Sequence, residues 1–203
     1  MLSPEIHRLS DRLWVWQHYD PAVKAELFSS AILTSSGLYV VDPIPLAEDS
    51  LRELSQVGPI AGIIVTNANH HRSVGQYSDR FSVPVFAHPN AFPDSKPNRF
   101  NEVIGASPIG GDLEVIEIDG AVAGEIALHE PSNGGTLIIG DALINFEPDG
   151  FTFLPRKYCE NEKQMRQSLT QLLTCPAERM LFAHGTPILS GATNRLRELL
   201  DSQ

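Results

Sequence analysis

The chain has 203 residues, 42% hydrophobic and 20% charged, which is a globular composition long enough to bury a core as one domain over residues 1–203. Its formal net charge is -10 and its 15 Lys and Arg residues are scattered, so nucleic acid and anionic membranes, which select clustered positive charge, are excluded as partners. No continuous apolar leader opens the sequence and no run reaches membrane-spanning length, and the two cysteines, Cys159 and Cys175, form no CxxC pair; a cytoplasmic protein with unmodified thiols in or near helices is expected.

In chain order, residues 13–16 (Leu-Trp-Val-Trp) and 29–33 read as strands, and residues 38–41 as a third that stops at Asp42-Pro43. Residues 49–57 have helical spacing, with Leu51 and Leu54 apolar. The strand 62–65 runs into the polar stretch Thr66-Asn67-Ala68-Asn69-His70-His71-Arg72-Ser73, followed by a short helix over 74–81 and a short strand over 83–87. Residues 90–101, rich in Pro and Asn, read as loop, and 113–118 as a strand. Residues 125–129 and 136–139 flank Ser132-Asn133-Gly134-Gly135, a hairpin signal. A helix over 160–174 presents Met165, Leu169, Leu172 and Leu173 on one face; a strand over 179–183 and a helix over 192–201 close the chain. Strands interleaved with helices predict an α/β layered domain.

Three places set polar residues directly after apolar strands: Asn67 to Arg72, Asp141 after Leu137-Ile138-Ile139-Gly140, and His184 after Met180-Leu181-Phe182-Ala183. Strand ends of α/β sheets are where ligands bind, and three such ends can converge. Thr66 to Arg72, Gly140-Asp141-Ala142-Leu143 and Ala183-His184-Gly185-Thr186-Pro187, in this order and at these intervals, resemble the metallo-β-lactamase superfamily. Val40-Val41-Asp42-Pro43 resembles that family's early strand ending in Asp, and Val83 to His88 the strand after its motif helix. The resemblance covers nearly the whole chain and implies a four-layer αββα sandwich, two mixed sheets flanked by helices.

Members of the family usually hold two metal ions that generate a hydroxide for hydrolysis. By the resemblance, Asn67 and Asn69 stand where the first two His ligands belong, His71 where the Asp belongs, Arg72 where the next His belongs, and Ala121 where a further His belongs; Asp141 matches the bridging Asp and His184 the last His. One metal site is therefore absent, since amide oxygens bind zinc weakly and Ala offers nothing. The other retains His71, Asp141 and His184, a set for one zinc, iron or manganese ion. Arg72 opposes it. A guanidinium about 4 Å from a divalent ion, at an effective dielectric near 20, is repelled by about 8 kcal/mol. Structural zinc sites gain roughly 10–16 kcal/mol from four good ligands. A bidentate pair between Arg72 and Asp141 in the emptied site is the competing expectation, and a metal-free site stands ahead of a metal site.

Other residues have plainer roles. His70, at the motif's variable position, is expected to face solvent; His129, in an alternating strand, to be a hydrogen-bonded structural residue; His88 to face the cleft or cap a loop; Asp42 to order loops beneath the site. No GxSxG, GxGxxG or Walker-type loop occurs. Two functions follow. One is a hydrolase-like member with at most one metal, acting on an ester, thioester or phosphoester, with Asn67 and Asn69 orienting substrate or water. The other is a metal-free, non-catalytic member whose cleft binds a small anion or a partner protein through Arg72. β-Lactam hydrolysis is not expected, because the dinuclear ligand set is missing. Neither the substrate nor the oligomeric state is written in the sequence.

Overall fold

Apolar side chains alternate along the central strands, and each face of each strand finds its own cover. The computed structural model describes residues 5–105, 107–146 and 150–202, so residues 1–4, the start of the stretch read as lacking an apolar leader, lie outside it. Strands β1 (His7–Ser10), β2 (Leu13–Asp20), β3 (Ala25–Thr34), β4 (Gly37–Val41), β5 (Ile60–Val65), β6 (Val85–Ala87) and β7 (Phe100–Glu102) form a seven-stranded sheet in chain order. It is antiparallel from β1 to β4 and parallel from β4 to β7. Helices α1 (Glu48–Val57) and α2 (Val74–Phe81) supply the crossovers around β5.

The second sheet begins with β8 (Glu114–Glu117), β9 (Ile126–Glu130) and β10 (Thr136–Ile139), all antiparallel. A separate hairpin, β11 (Leu143–Phe146) and β12 (Gly150–Phe153), and helix α3 (Glu162–Leu169) follow. Then β13 (Arg179–Phe182) returns parallel to β10, and helix α4 (Ala192–Asp201) ends the described chain.

Period-two burial explains the layers. Trp14, Trp16, Val40, Ile63 and Val65 pack with Leu51 and Leu54 of α1 and Tyr77 of α2. Their strand neighbours Leu13, Val15, Tyr39, Val41 and Ile64 face the other way, against Ile126, Leu128, Ile138 and Leu181 of the second sheet. Leu137, Ile139, Met180 and Phe182 then turn outward under Met165 and Leu169 of α3 and Leu196 of α4. Burying each such side chain contributes about 1.5–3 kcal/mol. The result is the expected αββα order, with two mixed sheets between helices.

The hairpin at 125–139 forms as read, with Asn133, Gly134 and Gly135 all at positive φ (52°, 86° and 81°). The helix read over 160–174 is interrupted: α3 ends at Leu169 and a 3-10 turn, Thr170–Thr174, follows. The hydroxyls of Thr170 and Thr174 donate to the carbonyls of Gln167 and Gln171, both at 2.7 Å, and so compete with helical bonding. Strands β1, β7, β11 and β12 carry too little alternation to read alone and take their form from pairing. Cys159 and Cys175 are free thiols, each following a 3-10 turn.

Candidate functional site

Parallel pairing of β4 with β5 and of β10 with β13 brings four strand ends to one edge of the sandwich. Asp42 follows β4, the loop from Thr66 to Ser73 follows β5, Asp141 follows β10 and His184 follows β13.

His70 is the centre of what they build. It is 1% exposed, so the expectation that it faces solvent is corrected. Its Nδ1 lies 3.0 Å from Asp42 Oδ2 and 2.8 Å from Thr66 Oγ1, and its Nε2 lies 3.1 Å from Asp141 Oδ1. That last contact is close but poorly directed as a hydrogen bond, so it acts chiefly as an ion pair. Burial alone would lower the imidazole pKa, but the Asp42 and Asp141 carboxylates outweigh it and push it up to about 9. His70 is therefore an imidazolium held between two carboxylates. Burial would raise Asp42, yet His70, Arg72 and Thr66 hold it below the usual carboxylate range. Asp141, buried as well, is held well down by His70, His184 and Asn69. Asp42 orders the loops as read: its Oδ1 accepts the Thr66 amide at 2.8 Å and its Oδ2 the Thr66 hydroxyl at 2.6 Å.

Arg72 has φ 33°, in the left-handed region that L-residues rarely adopt, and this turns its side chain back into the site. Its Nη1 donates to Phe28 O at 2.8 Å and Asp42 O at 3.2 Å; its Nη2 lies 3.4 Å from His184 Nε2 and 3.5 Å from Ala183 O. It points inward, as the metal-free reading needs, but the expected Arg72–Asp141 ion pair does not form among the described residues. Backbone carbonyls take the guanidinium, and Asp141 is already met by His70, by His184 Nε2 at 3.4 Å and by Asn69 Nδ2 at 3.0 Å. Burial pulls His184 down to about 4, with His70 and Arg72 adding to it and Asp141 opposing, so His184 is neutral.

The structure places His71 away from this group. Its Nε2 contacts Ala91 O at 2.5 Å, and its ring stacks on Phe92 with centroids 4.1 Å apart. The three-residue set that gathers is His70, Asp141 and His184, so the motif's variable position, not its Asp position, faces the carboxylates. Asn69 faces the cleft, whereas Asn67 is fully buried behind it: its Nδ2 donates to Glu125 Oε2 at 2.6 Å and its Oδ1 accepts the Asn69 amide at 2.9 Å. Ala121 is sealed in the core beside α3. His88 caps the Pro89–Ala91 turn through Nδ1, and His129 pairs with Glu114 at 2.7 Å and Pro176 O at 3.0 Å, the structural role read for it.

Glu125 was not singled out in the sequence. It is 3% exposed and accepts the amides of Asp141 and Ala142 at 2.8 and 2.9 Å as well as Asn67. Burial and the charge of Asp141 raise its pKa. An acid beside the apolar run Ile126-Ala127-Leu128 was the available signal. Gly140 permits this knot: a Cβ there would lie 2.6 Å from Thr66 Oγ1, 2.7 Å from Glu125 Oε1 and 2.9 Å from Asn67 Nδ2. Gly140→Ala is expected to lower stability by about 1–3 kcal/mol through overpacking, read by urea denaturation. Parental stability in that variant would mean the three polar groups give way freely.

Above these groups opens a cavity of about 680 Å³. Its floor is Asn69, His70, Arg72, Asp141 and His184; its walls include Leu27, Val122, Ile144, Phe146, Leu154 and Tyr158, and Asp20 stands among its lining.

The donor atoms of His70, Asp141 and His184 lie within 4.8 Å of one another, which invites a metal ion. The chemistry of the set does not fit one. His70 Nδ1 is taken by Asp42 and Thr66, and its Nε2 lies 3.1 Å from Asp141 Oδ1. The His184 nitrogen that faces Asp141 also faces the Arg72 guanidinium. His71, Asn67 and Ala121, which match further ligand positions, are turned away, engaged or apolar. Two organic cations, His70 and Arg72, already balance Asp42 and Asp141. A second group of metal-binding residue types, Glu114, His129 and Cys175, has both ring nitrogens of His129 engaged.

A family model described as the metallo-beta-lactamase superfamily matches residues 5–203. No curated protein matches the chain. Solved structures share the fold. A metallo-beta-lactamase from Pontibacter korlensis is 17% identical with TM-score 0.73, covering 98% of this chain and 99% of its own. The DIM-1 metallo-beta-lactamase is 14% identical with TM-score 0.75, covering 98% and 97%. A metallo-beta-lactamase family protein from Thermus thermophilus is 18% identical with TM-score 0.71, covering 96% and 80%.

Proposed function

The chain belongs to the metallo-β-lactamase superfamily, and from that premise we propose that it is a metal-independent, single-domain member whose cleft binds an organic small molecule. The observation that carries this reading is Arg72. Its guanidinium is anchored inside the site on the carbonyls of Phe28 and Asp42, with Nη2 3.4 Å from His184 Nε2. A cation built into the floor on backbone acceptors does not vacate it cheaply, because swinging out would give up its bond to the Phe28 carbonyl and leave Asp42 O with the Ser29 hydroxyl alone. The site is then a remodelled one, a pseudoenzyme site by the family's own chemistry. Two unpaired thiols support a reducing, cytoplasmic setting. Among the described residues no helix is long and apolar enough to cross a membrane.

A second reading, a hydrolase of esters, thioesters or phosphoesters dependent on one metal, draws on the gathering of His70, Asp141 and His184. Elemental analysis separates the two. Protein purified without chelator is exposed to zinc, manganese and iron(II), then washed. The metal-independent reading expects retention far below one equivalent. Near one equivalent retained, and lost on His184→Ala, would overturn it in favour of the hydrolase.

A further inference from the structure

Resting on that metal-independent reading, we propose that the cleft takes an uncharged amphipathic small molecule, its apolar body against Leu27, Phe146 and Tyr158 and a carbonyl- or amide-type head at Arg72 and His184. The cavity's size, about 680 Å³, is that of a small-molecule site. Its walls are aliphatic and aromatic from several elements: Leu27 on β3, Ile144 and Phe146 on β11, Leu154 and Tyr158 beyond β12. Tyr158 and Val23, also in the lining, are 59% exposed each, so the mouth keeps apolar surface in water that a bound apolar chain would cover.

The head group is chosen by charge. The lining holds one permanent cation, Arg72, and two carboxylates, Asp141 and Asp20. Behind them Asp42 adds a further negative charge. An anionic head therefore meets no net positive field, and beside Arg72 it also meets Asp141. A cationic head at the floor is set against the Arg72 guanidinium. A neutral head with an acceptor oxygen suits Arg72, whose Nη2 contacts at 3.4 and 3.5 Å are long and leave its donors poorly used. The N–H of an amide suits the Asp141 carboxylate. The partner is thus neither the small anion nor the protein that Arg72 alone suggests.

Isothermal titration of the intact protein with octanamide, octanoate and octylamine tests this. Octanamide is expected to bind, with the two charged analogues each at least about tenfold weaker. Tyr158→Ala, at an exposed position where folding is not at stake, is expected to weaken octanamide severalfold. Asp20→Asn is expected to improve octanoate severalfold and leave octanamide unchanged, a shift that loss of structure would not produce. Octanoate binding as tightly as octanamide, or no binding by any of the three, overturns the proposal. So does an unaffected Tyr158→Ala variant. Metal retained near one equivalent would instead show that the underlying reading had failed, whatever the titrations gave.

Discussion

His70→Gln is expected to cost about 3–5 kcal/mol of folding stability at neutral pH, the range for removing one partner of a buried ion pair and leaving charge uncompensated. Asp42 and Asp141 are 3% and 6% exposed, and the imidazolium between them is their shared counter-charge. Glutamine has similar reach and can donate to one carboxylate, but it carries no charge. The pH profile is the sharper readout. The His70 pKa is raised in the folded state, from an ordinary 6.5 to about 9. Its stabilisation is then fully present below about pH 6.5 and is lost as pH rises through about 9, on the order of 3 kcal/mol over the window. His184 has the opposite sign. Its pKa is depressed to about 4, so its contribution is present above 6.5 and lost as pH falls toward 4. Urea denaturation should show wild-type stability falling on the alkaline side, through about 8 as buried Glu125 ionises and through about 9 as His70 loses its proton, and His70→Gln should remove the His70 part of that fall alone. An unchanged alkaline limb in the variant would mean that His70 is neutral in the fold and that the carboxylates are balanced by other groups.

Why the sequence singled out His71 where the structure gathers His70 follows from what a motif encodes. The strands were legible because Leu137, Ile138 and Ile139 or Met180, Leu181 and Phe182 are apolar on both faces, and the polar residue after such a run falls at a sheet edge. That put Asp141, His184 and the Asn67-to-Arg72 loop at strand ends, where the structure has them. Within the loop, each residue was assigned to its counterpart in the family's metal motif, and this assumes a metal that draws side chains toward it. In the structure, side-chain direction follows local hydrogen bonds. Asn67 closes a turn on the Asn69 amide and reaches Glu125, and this commits it to the interior. His71 finds Ala91 O and the Phe92 face. His70 is left nearest the carboxylates. Glu125 was invisible for a related reason. Its role exists only through amides of residues 141 and 142, far along the chain, and through a glycine whose missing Cβ lets the acid approach. Arg72 shows the same limit: the residue type announced a cation at the site, but its acceptors, the carbonyls of Phe28 and Asp42, carry no sequence signature.

Arg72→His is expected to turn the protein toward metal binding, because it removes a repulsion and adds a donor in one step. Repulsion between a guanidinium and a divalent ion about 4 Å apart is worth about 8 kcal/mol at an effective dielectric near 20. If relaxation leaves only about 2 kcal/mol of it, that is still roughly thirtyfold in affinity. The variant forfeits the hydrogen bonds to Phe28 O and Asp42 O, of which Asp42 O keeps the Ser29 hydroxyl, at about 1–3 kcal/mol for the Phe28 carbonyl left without a partner, so its stability is measured alongside. Zinc retention after washing should rise from far below one equivalent toward one. Arg72→Leu separates the two contributions, since it removes the charge without supplying a ligand, and should fall between parent and Arg72→His. If Arg72→His retains no more zinc than the parent, the guanidinium is not what excludes the ion. The exclusion would then lie with His70, which is already held between two carboxylates, and the double variant His70→Gln with Arg72→His would be the one to gain metal.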